Sequence, residues 1–422
     1  MSDGVPAAQG LGVAQVLRLR DFRLLWLGQA ISDFGDSLTA LALLILVNRL
    51  TGSTLALGGM LIVLAIPQLT FGLIAGVYVD RLDRRRIMLA SDLLRGLMVL
   101  GFALVTSADH LWWLYLVGFA QATIGTFFRP ARAALVPNLV PAEGLLAANS
   151  VGEISRIIAG LLGTAAAGVL ISVLGVAWPA FVIDALTFFM SFAFVSRVAA
   201  PPRSAPAGDG SARAVLGQLF AGFGEIFHSR LLTGTLTGVA MAMLGLGAVN
   251  VLLVPLVVND LRLPETWFAA LEFAQTASMI LSGGLVAFLA ARLRPTRMVS
   301  VGLFLLGGVI ALISQVRDVW QFCAILFAVG WIMTPLNSSS MTILQTAVRN
   351  EMRGRIGAAM NTLTTSANLL SMALAGMLGD ALGVRMVFVV GGACVAIAGL
   401  ASAWLFRGTA TAARQEPEAL TT

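Results

Sequence analysis

The sequence predicts an all-α integral membrane protein whose twelve transmembrane helices form two six-helix repeats. Three observations predict it. Of the 422 residues, 58% are hydrophobic and only 11% are charged, less than half the roughly 25% charge of a soluble domain. Twelve apolar stretches approach or exceed the roughly 20 residues that a bilayer crossing needs. A Pro-, Gly- and Ser-rich linker divides the chain almost in half, and the halves carry faint echoes of each other.

The apolar stretches fall at 24–47, 55–78, 87–106, 111–129, 147–172, 178–197, 231–257, 267–290, 298–315, 319–345, 356–379 and 386–406. Connections between them are short, except for 199–230, where PPRSAPAGDGS reads as flexible linker. The end of that segment places Val215, Leu216, Leu219, Phe220, Phe223, Ile226 and Phe227 on one helical face. Such a helix lies flat on the inner leaflet and tethers the halves. The predicted domains are a first bundle at 1–198, a cytoplasmic linker at 199–230, a second bundle at 231–406 and a cytoplasmic tail at 407–422. The echoes support duplication. RLLWLG from Arg23 answers RLLTGT from Arg230, DRLDRRRIM from Asp80 answers ARLRPTRMV from Ala291, and the run from Arg129 answers that from Thr334. Their offsets of 207, 211 and 205 residues agree. Two parallel halves place a substrate site near the membrane midplane between them.

Composition excludes several chemistries. All 27 basic residues are Arg; without Lys there is neither a Walker A phosphate loop nor a lysine Schiff base. His110, His228, Cys323 and Cys394 lack the close spacing of a Cys/His metal cluster. No cofactor and no enzymatic activity are expected. The net charge of +6 is explained by placement rather than by nucleic acid: with a cytoplasmic N-terminus, inner segments hold 21 Arg and outer loops four. That asymmetry sets both termini inside. The N-terminus shows no cleavable signal, so the expectation is a multi-pass protein of a bacterial inner membrane, monomeric, in contact with lipid. Seven of eight Trp fall near predicted helix ends, as an interfacial belt does.

Between the second and third spans the chain reads GVYVDRLDRRR, Gly76 to Arg86. This resembles the signature loop of the major facilitator superfamily, matched at Gly76, Asp80, Arg81, Arg84 and Arg85; Asp83 stands where the pattern has Gly. FRLLWLGQAISDFGDSLTALAL, RPARAALVPNLVPAEGLLAAN and FVIDALTFFMSF look like its drug- and siderophore-exporting branch, which holds macrolide-efflux proteins and the enterobactin exporter. The resemblance implies the major facilitator fold and a latch on the cytoplasmic side. In it, Asp80 faces the positive N-terminal end of the eleventh helix, here near Arg355 and Ile356. Asp92 and Arg95, three apart on one face, extend that network.

Carboxylates within spans are functional candidates, because an intramembrane charge is costly unless it meets a partner or a wet cavity. Asp33 and Asp36 share a face near the middle of the first span; Asp184 and Glu272 lie in the sixth and eighth. None has a basic residue close in sequence, and the alternative is a carboxyl held neutral or bonded to a neighbouring helix. Asn250 and Asn337 either line the cavity or tie helices together. Glu153 and Arg156, three apart, read as an internally neutralised pair. Gly72/Gly76, Gly234/Gly238 and the small residues around Gly163 allow close helix approach. The expected function is export of an amphipathic small molecule, drug- or siderophore-like, against proton entry, with Asp36 as the coupling carboxylate. The expected cavity is largely apolar with acidic groups. Alternatives are a lysophospholipid transporter, a passive scramblase or a non-transporting receptor.

Overall fold

The computed structural model describes residues 11–199, 224, 229–348 and 350–407; the side chains of 73, 74, 77, 80, 350, 351, 354 and 355 also fall outside the described residues. Among the described residues every regular element is helical. The first half holds α1 (Arg20–Thr51), α2 (Thr54–Arg81), α3 (Arg84–Val99), α4 (Leu111–Leu139), α5 (Leu145–Leu174) and α6 (Trp178–Val195). The second half holds α7 (Arg230–Val254), α8 (Trp267–Ala290, interrupted at Ser282), α9 (Pro295–Ile313), α10 (Val319–Ala347), α11 (Asn350–Leu382) and α12 (Val384–Arg407). Eleven of these are long and apolar enough to cross a bilayer. The other, α11, has 33 residues but a polar stretch, with Asn361, Thr362, Thr364, Thr365 and Asn368 among them.

Several boundaries differ from expectation for identifiable reasons. Helix α4 ends at Leu139, ten residues beyond the expected 129. Pro130 and Pro137 lie inside it, and membrane helices tolerate proline because neighbouring groups take up the freed backbone bonds. Helix α3 tightens into a 3-10 helix at Leu100–Leu104. The expected amphipathic linker helix lies outside the described residues apart from 224, 229 and 230.

The described contacts gather into two compact units, one within Met1–Leu50 and Val63–Ala212, the other within Thr51–Ile62 and Arg213–Thr422. In the first unit, Leu25, Val79, Met88, Phe128, Leu135 and Val195 close a core at the Arg-rich ends of α1, α2, α3, α4 and α6. Gly163 brings α5 against α1 so closely that a Cβ there would overlap the Phe34 carbonyl and Ser37. In the second unit, Gly234 and Gly238 meet α12 at Phe406 and Ser402. Gly76, by contrast, faces open space, and Gly72 is crowded only by Gln68 of its own helix. Among the described residues, the Gly72/Gly76 pair meets no neighbouring helix.

The second unit also takes in the start of α2. Asp380 near the end of α11 caps it: the carboxylate accepts from Thr54 N at 2.7 Å, Thr54 Oγ1 at 2.7 Å, Ser53 Oγ at 2.6 Å and Leu55 N at 3.2 Å. The first N–H groups of a helix have no partner within it, so an acceptor there is stabilising.

Candidate substrate cavity

A cavity of about 960 Å³ opens within the first unit, walled by α1 to α5. Helix α1 supplies its spine. Gln29, Ser32, Asp33, Asp36, Thr39 and Ala40 recur at helical spacing along the wall. Asp36 lies sixteen residues from the start of this 32-residue helix, about 24 Å along it at 1.5 Å per residue. Its depth is therefore the middle of the span. Its surroundings differ from expectation. Arg95 of α3 donates to Asp36 Oδ1 at 2.5 Å, and the Arg95 guanidinium also stacks 4.3 Å from the centre of the Phe188 ring. Asp36 keeps 38% of its side-chain surface open and Arg95 only 12%. Both groups line the cavity, the carboxylate more openly than the guanidinium.

Asp33 is likewise not isolated, since Arg132 of α4 approaches it at 3.8 Å. Glu153 and Arg156 form the two-pronged pair expected of them, with bonds of 3.0 and 2.5 Å. Arg129 also lines the cavity and enters no ion pair among the described residues. The wall therefore holds three acids (Asp33, Asp36, Glu153) against four arginines (Arg95, Arg129, Arg132, Arg156), a formal excess of +1. It also presents the amides of Gln68, Gln121 and Asn149. Most of the cavity surface is apolar, as expected, but its acids are opposed by arginines, which was not expected. The sequence had offered Arg129 and Arg132 as topology markers, and proximity to Asp33 across helices was invisible in it.

The remaining candidates lie elsewhere. Asp184 is fully buried and lines no part of this cavity; it sits against Gly35 of α1, where a Cβ would overlap its carboxylate and the Thr187 hydroxyl. Glu272, Asn250 and Asn337 are exposed residues of the second unit. Asp92 and Arg95 are drawn into the bundle rather than toward the loop: Asp92 accepts from Ser191 Oγ of α6 at 2.7 Å, while Arg95 serves Asp36.

The loop itself has an internal structural role. Arg84 donates to the Ala134 carbonyl of α4 at 2.9 Å, and Arg85 donates to Val195 O at 3.2 Å and to Ser196 O at the end of α6. The two α6 carbonyls lie at its C-terminus, where carbonyls have no partner within the helix. Asp83 is the N-cap of α3, accepting from Arg85 N at 3.0 Å and Arg86 N at 3.1 Å. A capping carboxylate accounts for Asp at the place where the loop pattern has Gly. Arg81 is exposed. The side chains of Asp80 and Arg355 lie outside the described residues.

Comparison with known proteins agrees with this architecture. The family model of the Major Facilitator Superfamily matches residues 25–295 and 235–421. A transporter of that type from Bacillus subtilis, YfiS, is 28% identical over 392 residues, covering 88% of this chain and 90% of its own. The enterobactin exporter EntS of Citrobacter koseri is 26% identical over 368 residues, covering 85% of each. Among solved structures, a bacterial homologue of the iron transporter ferroportin, in an inward-facing state, superposes with a TM-score of 0.76 at 15% identity, over 92% of this chain and 98% of that one. With its helical architecture and a family match over both halves, the chain belongs to the major facilitator superfamily and is a multi-pass membrane transporter, not an enzyme.

Proposed function

We propose that this transporter exports an amphipathic small molecule, drug- or siderophore-like, in exchange for protons by alternating access. The observation that carries this reading is Asp36, an ionisable group at mid-helix on the wall of a cavity of about 960 Å³. A carboxylate at that depth can be opened to either side of the membrane in turn. Its charge can then be met by a proton, by Arg95 or by a cationic group of the substrate, but not favourably by more than one at a time. The relatives support the direction of transport, since EntS is named for export of enterobactin.

Wall chemistry narrows the substrate. Acids and arginines interleave around the cavity, so a molecule carrying both signs, or a neutral one with many hydrogen-bonding groups, suits it better than a simple cation. The same mixed wall favours a second reading, a zwitterionic lysophospholipid. In the proposed orientation both termini are cytoplasmic and the loop around Asp80 forms an inner latch.

The experiment is uptake into inverted membrane vesicles, with drugs, siderophores and lysolipids offered one at a time. Proton exchange predicts accumulation that a protonophore collapses. Equilibration that ignores the protonophore would instead identify a passive carrier.

A further inference from the structure

Directly behind the cavity wall lies a bond that is not made. Asp92 is 0% exposed; its Oδ2 accepts from Ser191 and its Oδ1 has no hydrogen-bond partner among the described residues. One turn on, at the i+3 position of the same face of α3, the buried Arg95 Nε also has none. A buried acceptor and a buried donor are thus both left open within one turn of one helix. The guanidinium meanwhile spends another nitrogen on Asp36 of α1.

The groups facing this layer are few. Helix α1 brings Asp36, α3 brings Arg95, and α6 brings the Ser191 hydroxyl and, two turns away, the buried Asp184. Helix α4 approaches Arg95 at Gly125, which carries no charge. One cation thus serves three carboxyls. Asp184 is a separate case: the Thr187 hydroxyl donates to its backbone carbonyl at 2.7 Å and reaches its Oδ1 at 3.1 Å. For Asp92, an ionised carboxylate with one hydrogen bond and no bonded cation among the described residues is costly in a buried layer. The neutral acid removes most of that cost.

We infer that Asp92 carries a proton in this conformation and that Arg95 is the switch that expels it, by leaving Asp36 for Asp92. The charges balance in both states. As observed, Asp36 and Arg95 cancel and Asp92 is neutral. After the switch, the O–H bond of Asp92 breaks, its proton passes to cavity water, and Arg95 neutralises the new carboxylate. Asp36 is left ionised at the wall, where a positive group of the substrate restores neutrality. One proton leaves for each positive group held. The role in transport rests on the proton-exchange reading above, whereas the protonation itself does not.

Infrared spectra of the full-length protein in lipid vesicles, at neutral pH and without substrate, test the inference. The wild type should show the carbonyl stretch of a protonated carboxyl that Asp92→Asn removes and Asp92→Glu shifts. Asp36→Asn should remove it too, because Arg95 then turns to Asp92, and the double variant Asp36→Asn/Arg95→Gln should restore it. Identical spectra for wild type and Asp92→Asn would show Asp92 ionised and overturn the inference. A band that survives Asp36→Asn would overturn the switch. Should Asp92→Asn not fold, an Asp92→Glu spectrum with no shifted band overturns it equally. Absence of substrate-driven proton movement in wild-type vesicles would sink the exchange reading alone and leave these spectra unchanged.

Discussion

At the scale of single residues, α1 is held by positions where no side chain fits. Gly35 lies against Asp184 and Thr187, and a Cβ there would collide with both. Gly35→Ala should therefore cost about 1–3 kcal/mol, the range for overpacking a close-fitted core. The measurement is the thermal unfolding midpoint of the purified protein, and an unchanged midpoint would mean that α1 and α6 separate without penalty. Asp36 was legible in the sequence because a carboxylate in an apolar run stands out. Its partner was not, because Arg95 is 59 positions away and on another helix. The Asp92 and Arg95 pair misled for the opposite reason. Spacing of three suggested a shared network near the loop, yet Asp92 bonds Ser191, 99 positions on, and Arg95 turns to α1. Local spacing fixes which residues share a face, not what that face meets.

At the scale of elements, helix ends carry much of the polar chemistry. Asp83 caps α3 and Asp380 of α11 caps α2. Asp83→Ala should cost about 0.5–2 kcal/mol, the usual loss of an N-cap, read as a lower unfolding midpoint. Asp380→Ala removes four hydrogen bonds from Ser53, Thr54 and Leu55. It should cost about 1–2 kcal/mol, the upper part of the cap range, and speed amide exchange at Thr54 and Leu55. Unchanged exchange there would show that the cap is not what orders the start of α2. Apolar runs announced most spans, but not where polar stretches continue a helix. In α4 the run from Arg129 reads as a loop, yet backbone bonding carries the helix through Pro130 to Leu139. In α11 polar residues thin the hydropathy of a 33-residue helix. The Asp380 cap was hidden because its partners lie more than 300 positions earlier in the chain.

At the scale of the whole molecule, the superfamily was legible from one loop and two weakly repeated halves, because those features are local or periodic. The cavity was legible only in outline, since its charge is a sum over side chains from several helices. Orientation rests on the Arg distribution of 21 to four. A reporter fused after Thr422 should read as cytoplasmic, and an extracytoplasmic signal would reverse every statement of sidedness. Proton-coupled export through the first-unit cavity is the central claim, and substrate-induced proton flux in inverted vesicles tests it most directly. The substrate is one identified by the uptake screen, and wild type is compared with Asp36→Asn. Wild-type vesicles should move protons on substrate addition, and Asp36→Asn should abolish that flux while substrate binding, though weakened, stays measurable. A variant that retains the wild-type flux would place the coupling group elsewhere and contradict the role given to Asp36.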